Sequence, residues 1–275
     1  MAENMTMRVA EESAGERLDK VIEAVLPDTG LRLRRRWCDE GRVLVDGRPR
    51  TPGYKVAAGQ EIELLPESDA PVSPGDLGLL VVAKTSRFVA VYKPAEVHSA
   101  AIAGKDGPSA ESALAELLPD ETPVLLNRLD FLTSGLLLVA LNPEAEATWR
   151  RAEEGGVIRK FYVAVVRGRM DGMTTVRNRL DTDDRATTRV LDEADPDPGR
   201  WTDVKALAHD READTTRVIC LIARGARHQI RAHLASIGHP IVGDPIYGSD
   251  EEDSLRLHHQ RVELPGFTAE VSAPF

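Results

Sequence analysis

The first apolar pattern along the chain predicts a small α+β module over residues 16–65. Five apolar side chains recur at helical spacing and would form one face of a short helix: Leu18, Val21, Ile22, Val25 and Leu26. A second short helix is predicted over 32–40, where Gly41 is placed to end it. Short strands follow, with turns predicted at Asp46-Gly47 and at Ala58-Gly59.

The apolar runs further along predict a larger domain over residues 79–275. Residues 66–78 are rich in Pro, Gly, Ser and Asp and are interpreted as a linker, while 1–15 are interpreted as an N-terminal tail. The predicted strands are 88–92, 135–141, 161–166, 204–208 and 218–223, and the predicted helices are 109–118, 143–154 and 227–236. Several connections are too short for crossover helices. The pattern therefore favours an α+β class, with a mixed, mainly antiparallel sheet and flanking helices.

Composition narrows the functional classes. No apolar run approaches the roughly 20 residues that span a bilayer, and the start of the chain lacks the features of a secretory signal. Cys38 and Cys220 stand in no metal-like spacing, which indicates reduced core thiols and a cytoplasmic protein. The net charge of −10 argues against loose, charge-driven nucleic-acid binding. RNA contacts would require local basic patches.

The segment 125–141 carries the first candidate for chemistry. A polar turn ending in Asp130 lies between apolar residues and leads through Thr-Ser-Gly into a buried strand. A carboxylate at such a sheet edge can be tuned by desolvation. The structural alternative is that Asp130 only caps a turn or pairs with Arg128.

The segment 223–248 carries the second candidate. If a helix begins near Arg227, Arg227 and Arg231 lie four residues apart on one face, and Arg231 can orient a carboxylate at a neighbouring strand end. The alternative is a solvated basic face. His228 and His233 are off the facing spacings of a helix, so no metal site is predicted.

A strand and two arginine clusters complete the candidates. Lys160 and Tyr162 alternate along 159–168 and share one face, so Tyr162 could place its ring against a planar substrate; a tyrosine packed on the sheet is the alternative. The small module carries candidate RNA-binding arginines, which could equally form a solvated face: Arg32, Arg34, Arg35, Arg36, Arg48 and Arg50.

These segments together resemble the RluA-type family of pseudouridine synthases. The motif NRLDFLTSGLLLVAL is similar to the family's His-Arg-Leu-Asp and Thr-Ser-Gly-Leu-Leu motif. RKFYVAVVRG, GARHQIRAHL with GHPIVGDPIYG, RLHHQRVEL and the Lys-Pro turn of VAVYKP also match. Residues 16–65 look like an S4 RNA-binding module. The resemblance covers nearly the whole chain.

The resemblance implies an RNA isomerase whose sheet carries a central cleft and which needs no cofactor and no metal. Asp130 matches the catalytic carboxylate, which attacks the sugar at C1′ or removes its C2′ proton. Arg231 matches its arginine partner, and Tyr162 matches the ring that stacks on the flipped base. The matching substrate-binding positions are Arg128, Ile230, Leu257, Arg227, His228 and Gln229. The implied partner is a structured RNA, ribosomal RNA first and transfer RNA second, bound by a monomer away from any membrane.

The chain departs from the family motif at several positions. Asn127 replaces the histidine before Arg-Leu-Asp, and Phe131-Leu132 replace a polar pair. The segment 93–100 lacks the family's glycine and is shortened, and Gly-Ala-Arg at 225–227 replaces Gly-Arg-Thr. We expect these changes to affect the choice of substrate more than the chemistry.

Two other functions fit parts of the pattern. A non-catalytic RNA-binding protein would keep the scaffold and leave nucleosides unchanged. A nucleoside or glycoside hydrolase would need a second acid about 5–9.5 Å from the first. No second acid is visible in the matching motifs.

Overall fold

A computed structural model describes residues 5–27, 29–39, 41–65, 74–101, 108–184, 186–248 and 254–275. Contacts divide the chain into one unit of Met1–Val72 with Ala101–Ser109 and a second of Ser73–Ala100 with Ala110–Phe275. Most of the predicted linker lies outside the described residues, so its role stays a prediction.

The first unit is a small α+β fold. Its strands are β1 (Met5–Arg8), β2 (Val43–Val45), β3 (Arg48–Pro49) and β4 (Glu61–Leu64), and its helices are α1 (Leu18–Val21), followed by a 3₁₀ turn at Ile22–Ala24, and α2 (Leu31–Asp39). The sheet is antiparallel in the order β1-β4-β2-β3.

Most of the local expectations for this unit are confirmed. The predicted apolar face is buried, with Leu18 and Val21 on α1, Ile22 on the 3₁₀ turn and Leu26 after it, so the helix is shorter than predicted. Asp46 and Gly47 have positive φ values of 51° and 74°, as a two-residue hairpin requires. The interpretation of residues 1–15 as a tail is wrong for β1, which pairs with β4. Four residues are too few to show a strand period in the sequence.

The second unit contains all five strands and all three helices that the sequence predicted. Its strands are β5 (Leu80–Lys84), β6 (Phe88–Lys93), β7 (Val124–Leu125), β8 (Ser134–Ala140), β9 (Arg159–Arg167), β10 (Met173–Val176), β11 (Asn178–Asp181), β12 (Arg189–Ala194), β13 (Thr202–Asp210), β14 (Thr215–Ile222), β15 (Leu257–Leu264) and β16 (Phe267–Glu270). Its helices are α3 (Ala110–Leu117), α4 (Pro143–Glu154) and α5 (Gln229–Ser236). Asn142 caps α4 by accepting from the Ala145 amide, and Pro143 starts the helix.

The predicted mixed, mainly antiparallel sheet is confirmed. Its main path runs β10-β13-β14-β9-β15-β8-β6-β5, with β16 beside β15 and β7 beside β8. Among the described pairs, β8 with β15 is parallel. Alternate residues of β8 belong to different cores: Leu137 and Val139 pack with α3 and α5, whereas Leu136 and Leu138 pack with α4. Helices therefore cover both faces, as the continuous apolar run predicted.

The sequence prediction of reduced core thiols is confirmed, because Cys38 and Cys220 are both buried and no disulfide joins them. Within the part of the chain that the structure describes, no helix is both long enough and apolar enough to cross a bilayer.

Candidate active site

Asp130 lies on the connection between β7 and β8. The residue before it is fixed by buried Ser99, whose hydroxyl accepts from the Leu129 amide at 2.9 Å and donates to the Leu129 carbonyl at 2.8 Å. Asn127 accepts from the Leu138 amide at 2.6 Å and donates to the Leu136 carbonyl at 3.3 Å. These bonds tie the connection to its own strand. Asn127 therefore serves as an anchor where the family motif has a histidine.

Gly135 allows β8 to approach β15 at the start of the parallel pairing. Its φ is +119°, and a Cβ built there would lie 2.3 Å from the backbone oxygen of His259. No side chain fits at this distance. The glycine of the Thr-Ser-Gly segment is thus required by packing next to Asp130.

Arg231 links Asp130 to a second carboxylate. Its Nη1 donates to Asp130 Oδ2 at 3.0 Å, while Nε and Nη2 donate to the two oxygens of Asp244 at 2.8 Å each. The Arg231 side chain is 4% exposed, Asp244 is 0% exposed and Asp130 is 27% exposed. Asp130 is therefore the partly exposed carboxylate, and the buried ion pair of Arg231 with Asp244 holds it in place.

The pKa values of the buried pair reflect this arrangement. Burial alone would lower the pKa of Arg231, but the bonds and charge of Asp244 and Asp130 raise it above its ordinary value. Burial alone would raise the pKa of Asp244, but Arg231 and the amides of Ile246 and Tyr247 lower it. Both groups are therefore charged at neutral pH.

Asp244 and Tyr247 were not predicted as site residues, although both lie in the motif GHPIVGDPIYG, which has the composition of a tight turn. The turn is present: Asp244 Oδ1 accepts from the amides of Ile246 and Tyr247. The same carboxylate also holds Arg231, and the Tyr247 ring lies 5.4 Å from the Arg231 guanidinium carbon. Both segments belong to motifs that match the family, but no spacing rule predicts that Asp244 and Tyr247 contact residues at the start of α5.

The prediction that α5 begins near Arg227 is wrong. The helix begins at Gln229, and His228 before it has a left-handed backbone with φ 53° and ψ 17°. Arg227 is consequently not on the helical face of Arg231. Its Nη2 donates to the carbonyls of Thr182, Asp184 and Thr187, outside the helix.

His228 lies close to Asp130 and to Tyr247. Its Nε2 lies 3.9 Å from Asp130 Oδ2, and its Nδ1 lies 3.0 Å from the Tyr247 hydroxyl. Burial lowers the pKa of His228 below its ordinary value; Asp130 opposes this shift, and Arg231 and Arg227 add to it. The imidazole is therefore neutral at neutral pH.

Gln229 is committed to the protein interior. Its amide nitrogen donates to the carbonyls of Arg200 and Trp201 and to the Thr202 hydroxyl, and its amide oxygen accepts from the Ala226 amide. The residue is 2% exposed. These contacts leave Gln229 a role in placing the start of α5 and do not favour the predicted substrate contact.

Tyr162 is buried in the core of the second unit. Its ring stacks on His259 at 4.5 Å with an interplanar angle of 15°. Burial, and then the charge of Asp130, raise the pKa of the phenol, so it stays protonated. Ile230 and Leu257, the predicted apolar pocket residues, belong to the same core cluster. The structure thus joins Asp130 to Arg231, places Tyr162 close enough to feel the charge of Asp130, and puts Ile230 and Leu257 in the core that contains Tyr162.

Lys93 adds a buried cation that the sequence did not place near the site. Its side chain is inaccessible to solvent, and Nζ donates to the carbonyls of Pro94 and Val97 at 2.8 Å and of Phe131 at 3.4 Å. Burial lowers the pKa of Lys93 to about 7, although the charge of Asp130 opposes the shift. The Lys-Pro turn is therefore coupled electrostatically to Asp130.

Two departures from the family motif touch each other. Phe131 packs on His98, with ring centroids 4.6 Å apart. The Phe131 carbonyl accepts from the amide of Glu96, which has a φ of +66°. Glycine is the residue best suited to that conformation. In the segment 93–100, which lacks the family's glycine, Glu96 therefore has a backbone conformation typical of glycine.

The predicted RNA-binding arginines have different environments. Arg34 is 6% exposed and pairs with Glu23, so its prediction as an accessible RNA contact is wrong. Arg35 pairs with the buried Asp19 at 2.7 Å, and Arg50 lies over the Tyr54 ring. Arg48 is exposed, Arg36 is half-buried, and the Arg32 side chain lies outside the described set. In the second unit, Arg128 is exposed.

Neither metal ligation nor a cavity at the end of α4 offers an alternative site in the described ranges of the chain. Among the described residues, no three His, Cys, Asp or Glu side chains are grouped to hold a metal ion. A cavity of about 290 Å³ is lined by Glu153, Glu154, Arg200, Arg224 and Gly225. Arg224 is held there by the carbonyls of Glu153 and Glu154 and by Asp197, which indicates a structural role.

The chain is similar to known proteins over most of its length. A family model described as RNA pseudouridylate synthase matches residues 87–236, and one described as S4 domain matches residues 16–62. The chain is 29% identical to ribosomal large subunit pseudouridine synthase D of Escherichia coli K12, over 89% of this chain and 76% of that protein. The protein of the same name from Nitrosomonas europaea is 28% identical, over 90% and 73%.

A solved structure is also similar. Human RNA pseudouridylate synthase domain containing 1 aligns with a TM-score of 0.59 and 26% identity, covering 76% of this chain and 86% of that one.

Proposed function

The chain belongs to the RNA pseudouridylate synthase family, and from this premise we propose that it isomerises specific uridines of ribosomal RNA, with Asp130 as the essential carboxylate. Ribosomal RNA is favoured over transfer RNA because the similar bacterial proteins are named for the large ribosomal subunit and because an S4 domain precedes the catalytic domain. Within this proposal the enzyme acts as a cytoplasmic monomer.

The observation that carries the proposal is the chain of charges Asp130–Arg231–Asp244. Two nitrogens of the Arg231 guanidinium, Nε and Nη2, donate to Asp244, and the third, Nη1, donates to Asp130 at 3.0 Å. A fixed guanidinium stabilises the ionised carboxylate and fixes its direction. The resemblance to pseudouridine synthases implies that one oriented carboxylate, with no metal, performs the exchange of the glycosidic bond, and Asp130 fits that role.

The remaining residues support binding of the base. A uridine inside a helix must be flipped out, at a cost of a few kcal/mol, and stacking on an aromatic ring recovers about 1–3 kcal/mol. Tyr162 supplies the ring, while Ile230 and Leu257 supply apolar walls. Arg128, two residues before Asp130 in the chain, is exposed and is suited to hold the displaced backbone.

The reaction exchanges two bonds at C1′. The bond to N1 breaks, the uracil turns, a bond to C5 forms, and the C5 proton leaves while N1 gains one. Asp130 acts either by attack on C1′ or by removal of the C2′ proton; both routes need it ionised and directed at the sugar.

The first unit is proposed to anchor the RNA. Arg48 is exposed and Arg35 is half-exposed beside Asp19, so both can reach phosphates. Because the protein carries a net charge of −10, binding should depend on these local groups and weaken steeply with salt. Arg34 is left out because it is buried.

The experiment measures tritium release from RNA that carries 5-³H-uridine, prepared from cells that lack the gene. Wild type should release tritium, and Asp130→Asn should release none while binding RNA normally. Asp171→Asn is the matched control, because Asp171 pairs with Arg169 at the exposed surface. Full activity of Asp130→Asn would refute the proposal. Binding without any release by wild type would favour a non-catalytic protein, and free uracil as product would favour a hydrolase.

A further inference from the structure

His228 occupies a strained backbone position at the start of α5. Its φ of 53° and ψ of 17° lie in the left-handed region, which non-glycine residues rarely adopt. Such outliers concentrate where the surrounding structure needs a side chain in one direction. Here the conformation directs the imidazole towards Asp130 and Tyr247.

The hydrogen bonds around Tyr247 favour one tautomer of the imidazole. The Tyr247 hydroxyl oxygen accepts from the Thr188 amide at 2.7 Å, and its own proton is therefore available to His228 Nδ1 at 3.0 Å. A neutral imidazole that accepts at Nδ1 must carry its proton on Nε2. The donor Nε2–H then faces Asp130 Oδ2 at 3.9 Å.

Arg231 and His228 approach the same carboxylate oxygen. Arg231 Nη1 already donates to Asp130 Oδ2 at 3.0 Å, and His228 Nε2 lies 3.9 Å from that atom. Both side chains are held by one turn, since Asp244 binds Arg231 and Tyr247 binds His228. The charged groups that face the imidazole are Asp130, Arg231, Arg227 and Asp244.

We propose that His228 and Tyr247 form a positioning pair for the reaction proposed above. When RNA is bound, the Nε2–H of His228 closes on Asp130 Oδ2 and completes its hydrogen bonding together with Arg231. The other oxygen, Oδ1, is thereby directed at the sugar. Catalytic hydrogen bonds are often long before the substrate binds, so a gap of 3.9 Å is compatible with this role.

Two substitutions of His228 distinguish the effect of the Nε2–H donor from the effect of the left-handed backbone. In His228→Gln, the amide nitrogen can reach the place of Nε2 and restore the donor. In His228→Asn, the amide reaches only the place of Nδ1, while asparagine tolerates the left-handed backbone well. Tyr247→Phe removes the hydroxyl that fixes the tautomer. Tyr92→Phe is the matched control, because Tyr92 packs beside a different histidine, His258, at 6.3 Å.

Single-turnover tritium release and RNA affinity should change differently. His228→Asn should lower the rate about 10- to 100-fold, the effect of one hydrogen bond to a charged group, with RNA affinity unchanged. His228→Gln should recover most of the rate, Tyr247→Phe should show a smaller loss, and Tyr92→Phe should match wild type. A conservative rescue of this kind is not expected of a residue that only maintains the fold.

A wild-type rate in His228→Asn would overturn the proposal that His228 and Tyr247 position Asp130. Equal losses of rate in His228→Asn and His228→Gln would also overturn it. If wild type releases no tritium, the proposed function fails instead. The pair is then tested by ¹⁵N NMR of His228, which should show the Nε2–H tautomer in wild type and lose that preference in Tyr247→Phe.

Discussion

Replacing Asp244 by asparagine tests whether the buried ion pair holds the site together. The carboxylate is 0% exposed and accepts four hydrogen bonds, from Nε and Nη2 of Arg231 and from the amides of Ile246 and Tyr247. Asparagine has nearly the same shape. Its oxygen can keep the bonds made by Oδ1, but its amino group would face the Nε–H of Arg231, donor against donor.

The expected loss follows from this geometry. One charge-assisted hydrogen bond is lost, worth about 1.5–3 kcal/mol, and a buried guanidinium loses its main counter-charge. Removing one partner of a buried pair costs about 3–5 kcal/mol; Asp130 remains as a second partner, so we expect about 3 kcal/mol at pH 7. For a chain of this size the melting temperature should fall by roughly 6–12 °C.

The effect should also depend on pH. Because the pKa of Asp244 is lowered in the folded protein, its stabilisation is present above the unfolded value of about 3.9 and is lost as pH falls through the folded value. The difference between wild type and Asp244→Asn should therefore be largest near neutral pH and shrink below about pH 4.

Urea unfolding at several pH values measures the stability, and single-turnover tritium release measures the effect on Asp130. The rate should fall about 10- to 100-fold as Arg231 loses its fixed direction. Asp171→Asn, at an exposed pair with Arg169, should change stability by less than about 0.5 kcal/mol. A stability loss below about 1 kcal/mol in Asp244→Asn, with an unchanged rate, would refute the reasoning.

Three further predictions concern stability alone. The unfolded chain keeps the Lys93 proton up to about pH 10.5, whereas the folded protein releases it near pH 7, so the free energy of unfolding of wild type should rise by up to about 1.4 kcal/mol per pH unit between those values. Urea unfolding of Lys93→Met at pH 7 and 9 should lack this rise, and the same pH dependence in both proteins would contradict the prediction. Gly135→Ala should lower the free energy of unfolding by at least about 3 kcal/mol, because its Cβ would meet the His259 backbone. The control Gly156→Ala, with open space around its Cβ, should lower it by about 1 kcal/mol, and similar losses of the two variants in thermal unfolding would argue against the close contact. Glu96→Gly should stabilise by about 0.5–1 kcal/mol by relieving the positive φ, and a lower melting temperature would show that the backbone is not strained there.

The secondary structure that the sequence predicted depends on local periodicity. The run at 135–141 is apolar on both faces, and β8 contributes to two cores. The sequence missed β1 and seven strands of the second unit, β5, β7, β10, β11, β12, β15 and β16. These strands are short or carry several polar residues, so they show no clear apolar period. The start of α5 was placed early because a helical spacing of arginines says nothing about the left-handed turn at His228.

The sequence by itself determined the small α+β module, the mixed sheet, the family and the candidates Asp130, Tyr162 and Arg231, because repeats of apolar residues and short motifs are properties of neighbouring positions. Only the tertiary structure decided that Asp244 holds Arg231 and that Tyr247 holds His228. Those contacts depend on how a turn after α5 folds back onto the start of the helix. Hydrogen bonds between residues brought together by folding follow from packing, and no local pattern of residue types encodes them.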